Sequence, residues 1–159
     1  MRRLLMISSS TAIRPNPGLI PALDRYDGPV YRLLRAHRDE GHRLPIILIL
    51  SASYGLISGK HPIPADQSDE RLTGSKARRA VHDRARDELR RAWWTAQDRY
   101  MVAGKLHTEV FLALAPRFEP DISPHLSEPV EPVYTAAHGP MGEQLQQLKD
   151  WLKAKPGRR

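Results

Sequence analysis

Pro45-Ile46-Ile47-Leu48-Ile49-Leu50-Ser51-Ala52-Ser53-Tyr54-Gly55-Leu56-Ile57 is the stretch whose reading decides the fold. Residues 45–50 are apolar without a polar break, as in a strand buried on both faces in the middle of a parallel sheet. The run stops abruptly in Ser-Ala-Ser-Tyr-Gly. In open α/β sheets ligands sit outside the carboxyl ends of strands, where small polar residues leave room for them. The irregular, proline-marked segment from Ser58 to Gly74 is long enough to fold over such a crevice.

Working outward, Arg3 to Ser8 reads as a first buried strand leaving through Ser8-Ser9-Ser10-Thr11. Four hydroxyls at a strand exit can hold a phosphate, a ribose or a base edge, or can form an empty polar turn. Arg14-Pro15-Asn16-Pro17-Gly18 is a rigid loop that places Arg14 near that exit, as an anion clamp or a solvated side chain. Asp27-Gly28-Pro29 starts a helix, with Val30, Leu33, Leu34 and His37 on its apolar face and Gly41 after its end. Tyr31, in the first turn, points toward the strand exits. His37 and His42 read as surface residues.

Beyond the central strand, His61-Pro62-Ile63-Pro64-Ala65-Asp66-Gln67 is held extended and presents Asp66 as a general base, a ligand hydrogen-bond partner or a turn aspartate. A long basic helix is predicted over 75–103, capped by Ser75. Ala77, Val81, Ala85, Leu89, Ala92, Trp93, Ala96 and Tyr100 form its stripe. Its arginines, Arg78, Arg79, Arg86 and Arg90 among them, could track a phosphate backbone. Interleaved Asp and Glu residues also fit a solvated, ion-paired face. Trp93 is expected in the core and Trp94 partly exposed.

Thr108 to Leu114 reads as a third strand, 118–132 as a proline-rich acidic loop, and Val133 to Ala137 as a fourth strand. His138-Gly139-Pro140-Met141-Gly142 then leads into a helix from Glu143 to Ala154. Gly139 and Gly142 at a helix start suit an anion, although Glu143 already answers the helix dipole. The expected architecture is one α/β domain over 1–154. It has a mostly parallel sheet of about four strands flanked by helices, one long basic helix, a C-terminal helix, and a frayed basic tail at 155–159.

A net charge of +7 in 159 residues favours an anionic partner, with nucleic acid first, a nucleotide or phosphorylated metabolite second and an acidic protein third. An arginine-rich genome would give the same excess. No cysteine is present, which excludes disulfides, thiolate nucleophiles and cysteine metal sites. The seven histidines show no metal-ligand spacing, and no metal or cofactor is expected. Walker A, GxGxxG, GxSxG, HExxH and EF-hand patterns are absent. The apolar run Leu4 to Ile7 is shorter than the roughly 7–15 residues of a secretory h-region. No run approaches the roughly 20 apolar residues of a membrane span. A cytoplasmic protein without membrane contact is expected.

Three separated pieces resemble one family. They are the Ser8-Ser9-Ser10 exit with Arg14-Pro15 and Asp27-Gly28-Pro29-Val30-Tyr31; Leu50 to Ile57 with Ile63-Pro64-Ala65-Asp66; and Gly139 to Leu145 with Leu148 and Trp151-Leu152. Together they resemble the small bacterial peroxide-stress YaaA-like domains and, more distantly, the core domain of archaeosine synthase. The resemblance implies an α/β domain with a pocket between the first two strand exits, and a link to DNA or modified nucleobases. Ser51, Tyr54, Gly55, Asp66 and Gly142 match the family pattern. The family's cysteine, two lysines and loop tyrosine are missing, with Ile13, Ser53 and Ala65 among the replacements. An amine nucleophile of the archaeosine synthase type is therefore not supported.

The expected ligand contacts are Ser8, Ser9, Ser10, Arg14, Tyr31, Ser51, Ser53, Tyr54, Gly55, Gly139 and Gly142. Three functions fit: a stress-response domain binding nucleic acid or a nucleobase or nucleotide; an N-glycosidase- or transferase-like enzyme with Asp66 as general base; and a non-catalytic domain acting through a protein partner at Trp94 or 118–132. Convergence of Ser10, Arg14, Ser51, Tyr54 and Asp66 on one pocket would favour a ligand site. Scatter would favour the basic surface.

Overall fold

The structure, a computed structural model, describes residues 2–66, 86–118 and 134–154, without the side chains of 86–90 and 115–118. In chain order its elements are β1 (Arg3–Ser8), β2 (Ile20–Pro21), α1 (Ala22–Arg25), α2 (Pro29–Asp39), β3 (Ile46–Ser51), β4 (Gly55–Ser58) and β5 (Pro62–Ile63). There follow α3 (Arg86–Thr95), β6 (Asp98–Val102), α4 (Lys105–Phe118), β7 (Thr135–Ala136) and α5 (Met141–Lys153).

The main sheet has five strands in the order β4-β3-β1-β6-β7, and β2 pairs with β5 in a small antiparallel sheet. All main-sheet pairings are parallel except β3–β4. The α/β class and mostly parallel sheet are therefore as expected, with one strand more than the four predicted.

Alternation along the central strands builds two cores. Leu4 and Met6 of β1, with Leu48 and Leu50 of β3, face Trp93 of α3 and Phe111 of α4. Leu5 and Ile7, with Ile47 and Ile49, face Tyr31 and Leu34 of α2 and Leu148 of α5. A one-residue register slip would exchange the two faces, so the pairing Met6↔Leu48 is strongly specified.

Three expectations are corrected. Ser51 to Gly55 is a hairpin turn rather than an open exit, because the chain reverses and β4 pairs antiparallel with β3, Ser51 opposite Gly55. Gly55 takes φ 74°, a left-handed conformation that closes a three-residue loop, and the Ser51 Oγ accepts the N–H groups of Ser53 (3.2 Å) and Tyr54 (3.0 Å). Second, the helix predicted to run to Ala103 ends at Thr95, and Asp98–Val102 is a strand. Tyr100 and Met101 alternate between the two cores, so the period is two and not 3.6. Third, Thr108 to Leu114 lies within α4. Its buried residues Val110, Phe111 and Leu114 sit at helical spacing, and a short apolar run carries no period of its own.

His37, expected at the surface, is buried on α2, while the other expectations fit more closely. Helix α2 matches its predicted span, α5 begins two residues early, and of the fourth strand only Thr135–Ala136 is formed among the described residues. Trp93 is buried and Trp94 exposed. The stretches 67–85, 119–133 and 155–159 lie outside the described residues, and with them the start of the predicted basic helix, most of the acidic loop and the tail. Among the described residues no helix is long and apolar enough to cross a membrane.

Two arginines fix the frame. Arg3 pairs with Asp98 at 3.0 Å, lies over the Trp151 ring and donates to the carbonyls of Trp151, Leu152 and Ala154, tying α5 to the sheet. Arg25 is fully buried and donates to the carbonyls of Arg14 (2.6 Å), Asn16 (2.7 Å), Gly18 (2.7 Å) and Ile63. It pins the Pro15–Pro17 loop and β5 with one side chain.

Candidate functional site

The connections decide where a ligand would sit. From β1 the chain crosses to β3 on one side, while β6 leads through α4 to β7 on the other. The topological switch point therefore lies between the carboxyl ends of β1 and β6. A cavity of about 150 Å³ opens there, lined by Ser8, Ser9 and Ser10 after β1, by Ala103 and Gly104 after β6, and by the first turns of α2 and α5.

Local chemistry explains its shape. The Ser9 N–H donates to Leu50 O at 3.0 Å, so the chain stays tied to β3 for one residue past the strand. Tyr31 reaches back from α2 and donates its hydroxyl to Ser8 O at 2.6 Å. Gly28 meets Ser10 so closely that a Cβ there would fall 2.9 Å from the Ser10 Oγ. Only a glycine brings the start of α2 this near to the serine exit without a shift.

The electrostatics come from backbone. No side chain caps α2, and its first turn carries no acid. The neighbouring Asp27 is turned away into ion pairs with Arg32 (3.1 Å) and Arg35 (2.5 Å). The Arg32 hydrogen bond, with Arg35 beside it, holds that carboxyl below its usual range. The positive end of α2 thus faces the cavity unopposed by Asp27. Met141 and Gln144 bring the start of α5 to the same cavity, while the Glu143 carboxylate folds against Gly139. Among the described residues the lining has no Asp, Glu, His, Lys or Arg. Such a surface can hold an anionic or polar group with hydroxyls and helix ends. Among the described residues it offers no side chain suited to proton transfer at neutral pH.

Of the residues singled out from sequence, Ser8, Ser9, Ser10 and Tyr31 line this cavity. Gly139 and Gly142 flank it on the α5 side, one before and one after Met141. Ser51, Ser53, Tyr54 and Gly55 form the β3–β4 hairpin and do not line it. Ser51 is fully buried, and the Tyr54 ring packs 5.5 Å from His61. Arg14 is half-buried, its N–H bonded to Arg25 O, and Asp66 is exposed in a turn. Of the five residues whose convergence would mark a pocket, Ser10 alone lines it. Arg78 and Arg79 lie outside the described residues, and Arg86 and Arg90 are on α3 with side chains that are not described.

The β6 wall, Gly28 and Gln144 were not read from sequence as site residues. The β-prone run Arg99-Tyr100-Met101-Val102 before Gly104 was the available signal for the wall.

His37, Glu40 and His42 also come together, with one donor atom from each lying within 4.8 Å of the others. The turn that ends α2 accounts for this. Gly41 at φ 85° lets His42 N bond His37 O and Gly41 N bond Arg38 O, a Schellman motif that stacks the two imidazoles at 4.6 Å.

No family model, curated protein or solved structure matches this chain.

Proposed function

We propose that this protein is a binding domain for a nucleotide- or nucleobase-type ligand, free or within a nucleic acid, taken up at the carboxyl ends of the strands. Arg14, Ser51, Tyr54 and Asp66 do not join Ser10 there, so the reading rests on the switch-point cavity itself, with its serine exit and two helix starts around a lining without charged side chains among the described residues. At about 150 Å³ it admits one group, a phosphate or a single base, and is smaller than the roughly 300–1,000 Å³ of sites that enclose a whole drug-sized ligand. The rest of the ligand would lie along the surface, where the chain's excess of Lys and Arg over Asp and Glu favours phosphates.

The sequence resemblance to YaaA-like stress-response domains points to the same ligand class. Binding is favoured over catalysis because Asp66 does not line the cavity and Ile13 replaces the family's lysine. Ile13 packs with the α2-side core and forms a backbone bridge to Tyr26. Titration of isotopically labelled protein with AMP, and with a short single-stranded oligonucleotide at about 50 mM salt, tests the proposal. Movement of the Ser9, Ser10 and Gly28 amides is expected. Their silence toward both titrants would overturn it.

A further inference from the structure

A larger concavity than the switch-point cavity lies at the other end of the sheet. A cavity of about 670 Å³ is bounded by the amino-terminal approach to β3, the end of β4 and one side of α3. Its floor is apolar, with Leu44, Pro45, Ile46, Leu48 and Ala92 contributing. Arg2, Arg43, Lys60 and Arg91 stand around it, and none has an ion-pair partner among the described residues. A fifth cation, Arg38, is held by Asp24 at 2.9 Å and Asp39 at 3.2 Å. Among the described residues Asp24 is the one acid in the lining, and Arg38 answers its charge.

We propose that this cavity is a second binding site, independent of the switch point, for a small organic phosphate with an apolar or aromatic body. The volume lies within the range of sites that enclose a whole small molecule. Inorganic phosphate would engage the cations but leave the apolar floor in water. An uncharged ring would cover the floor but leave the cations without a partner among the described residues. A ligand with both parts satisfies both surfaces, and arginine forks suit phosphate oxygens. A concave pocket of this size takes one molecule, unlike the extended stripe of cations that follows a duplex backbone.

The wall at β4 is held by the backbone. Gly59 N donates to Ile47 O and Gly59 O accepts from Leu23 N, both at 3.0 Å. A Cβ on Gly59 would come within 3.2 Å of Ile47. Lys60 therefore leaves a fixed turn beside β3.

The test compares AMP, adenosine and inorganic phosphate on labelled protein, wild type and an Arg43→Gln/Lys60→Gln/Arg91→Gln variant. AMP is expected to shift the amides of Gly59, Lys60 and Thr95. It should bind at least about tenfold more tightly than adenosine or phosphate alone, and lose at least about tenfold in the variant. The Ser9, Ser10 and Gly28 amides should respond alike in both proteins, and the thermal melt of the variant should match wild type. AMP that leaves Gly59, Lys60 and Thr95 unmoved overturns the proposal. So does an affinity at these amides that the triple substitution leaves unchanged.

Discussion

The two ends of the sheet offer different concavities, and they were made differently. At the carboxyl end, topology makes a cavity of about 150 Å³ lined by hydroxyls and helix starts, without charged side chains among the described residues. At the amino end, packing leaves about 670 Å³ with an apolar floor and a cationic rim. The first would hold an anion by backbone dipoles in fixed positions, so small steric changes there should matter more than salt. The second would hold one by long, mobile side chains, so charge removal and salt should matter more than shape.

The largest expected effect falls on a buried arginine that lines neither cavity. Arg25 binds the 14–18 loop and β5 from a fully buried position, beside the α1 segment whose Leu23 and Asp24 line the amino-end cavity. Arg25→Met fills much of the volume but leaves four carbonyls without their donor. It is expected to cost about 3 kcal/mol in urea denaturation. A change below about 1 kcal/mol would mean that the loop holds itself.

A smaller effect separates the ends. Gly28→Ala places a Cβ 2.9 Å from the Ser10 Oγ and must turn that hydroxyl or move α2. It should weaken AMP binding at the switch point by about fivefold, at a stability cost near 1 kcal/mol. Amino-end shifts should be unaffected, and adding Ser10→Gly should relieve the crowding but not restore affinity. Equal weakening at both ends would break the separation.

The smallest effect concerns pH. Burial first, then the charge of His42, pulls the His37 pKa below its ordinary 6.5, while Glu40 acts in the opposite sense. The unfolded chain then takes up this proton before the folded one. His37 thus contributes stability that is present above about pH 6.5 and is lost as pH falls toward its folded pKa. The loss should be less than about 1 kcal/mol, and His37→Gln should flatten that part of the stability profile. An unchanged profile would remove His37 from the account.

The same two ends show what was legible in the sequence. The β1 and β3 strands were readable because burial on both faces writes an unbroken apolar run, and α2 because Gly28-Pro29 and Gly41 mark its ends. Ser8 to Ser10 and Tyr31 followed from that frame. The β6 wall was not readable, since Trp93, Ala96 and Tyr100 continue a helical stripe across the Thr95 boundary by coincidence of spacing. Ser51-Ala52-Ser53-Tyr54-Gly55 was read as an exit because its hairpin chemistry, a hydroxyl cap and a left-handed glycine, uses the residue types that also suit a ligand loop. The amino-end cavity has no local signature at all, because Arg2, Arg43, Lys60 and Arg91 meet only once the sheet is assembled.

The central claim is that the switch point between β1 and β6 binds the phosphate or base of a nucleotide-type ligand. Amide shifts of labelled protein on addition of AMP test it most directly. Saturable movement of Ser9, Ser10, Gly28 and Gly104, lost in step when Gly28 becomes alanine, is the predicted result. Shifts confined to Gly59, Lys60 and Thr95, with the serine exit silent, would contradict it and leave the amino-end cavity as the binding site.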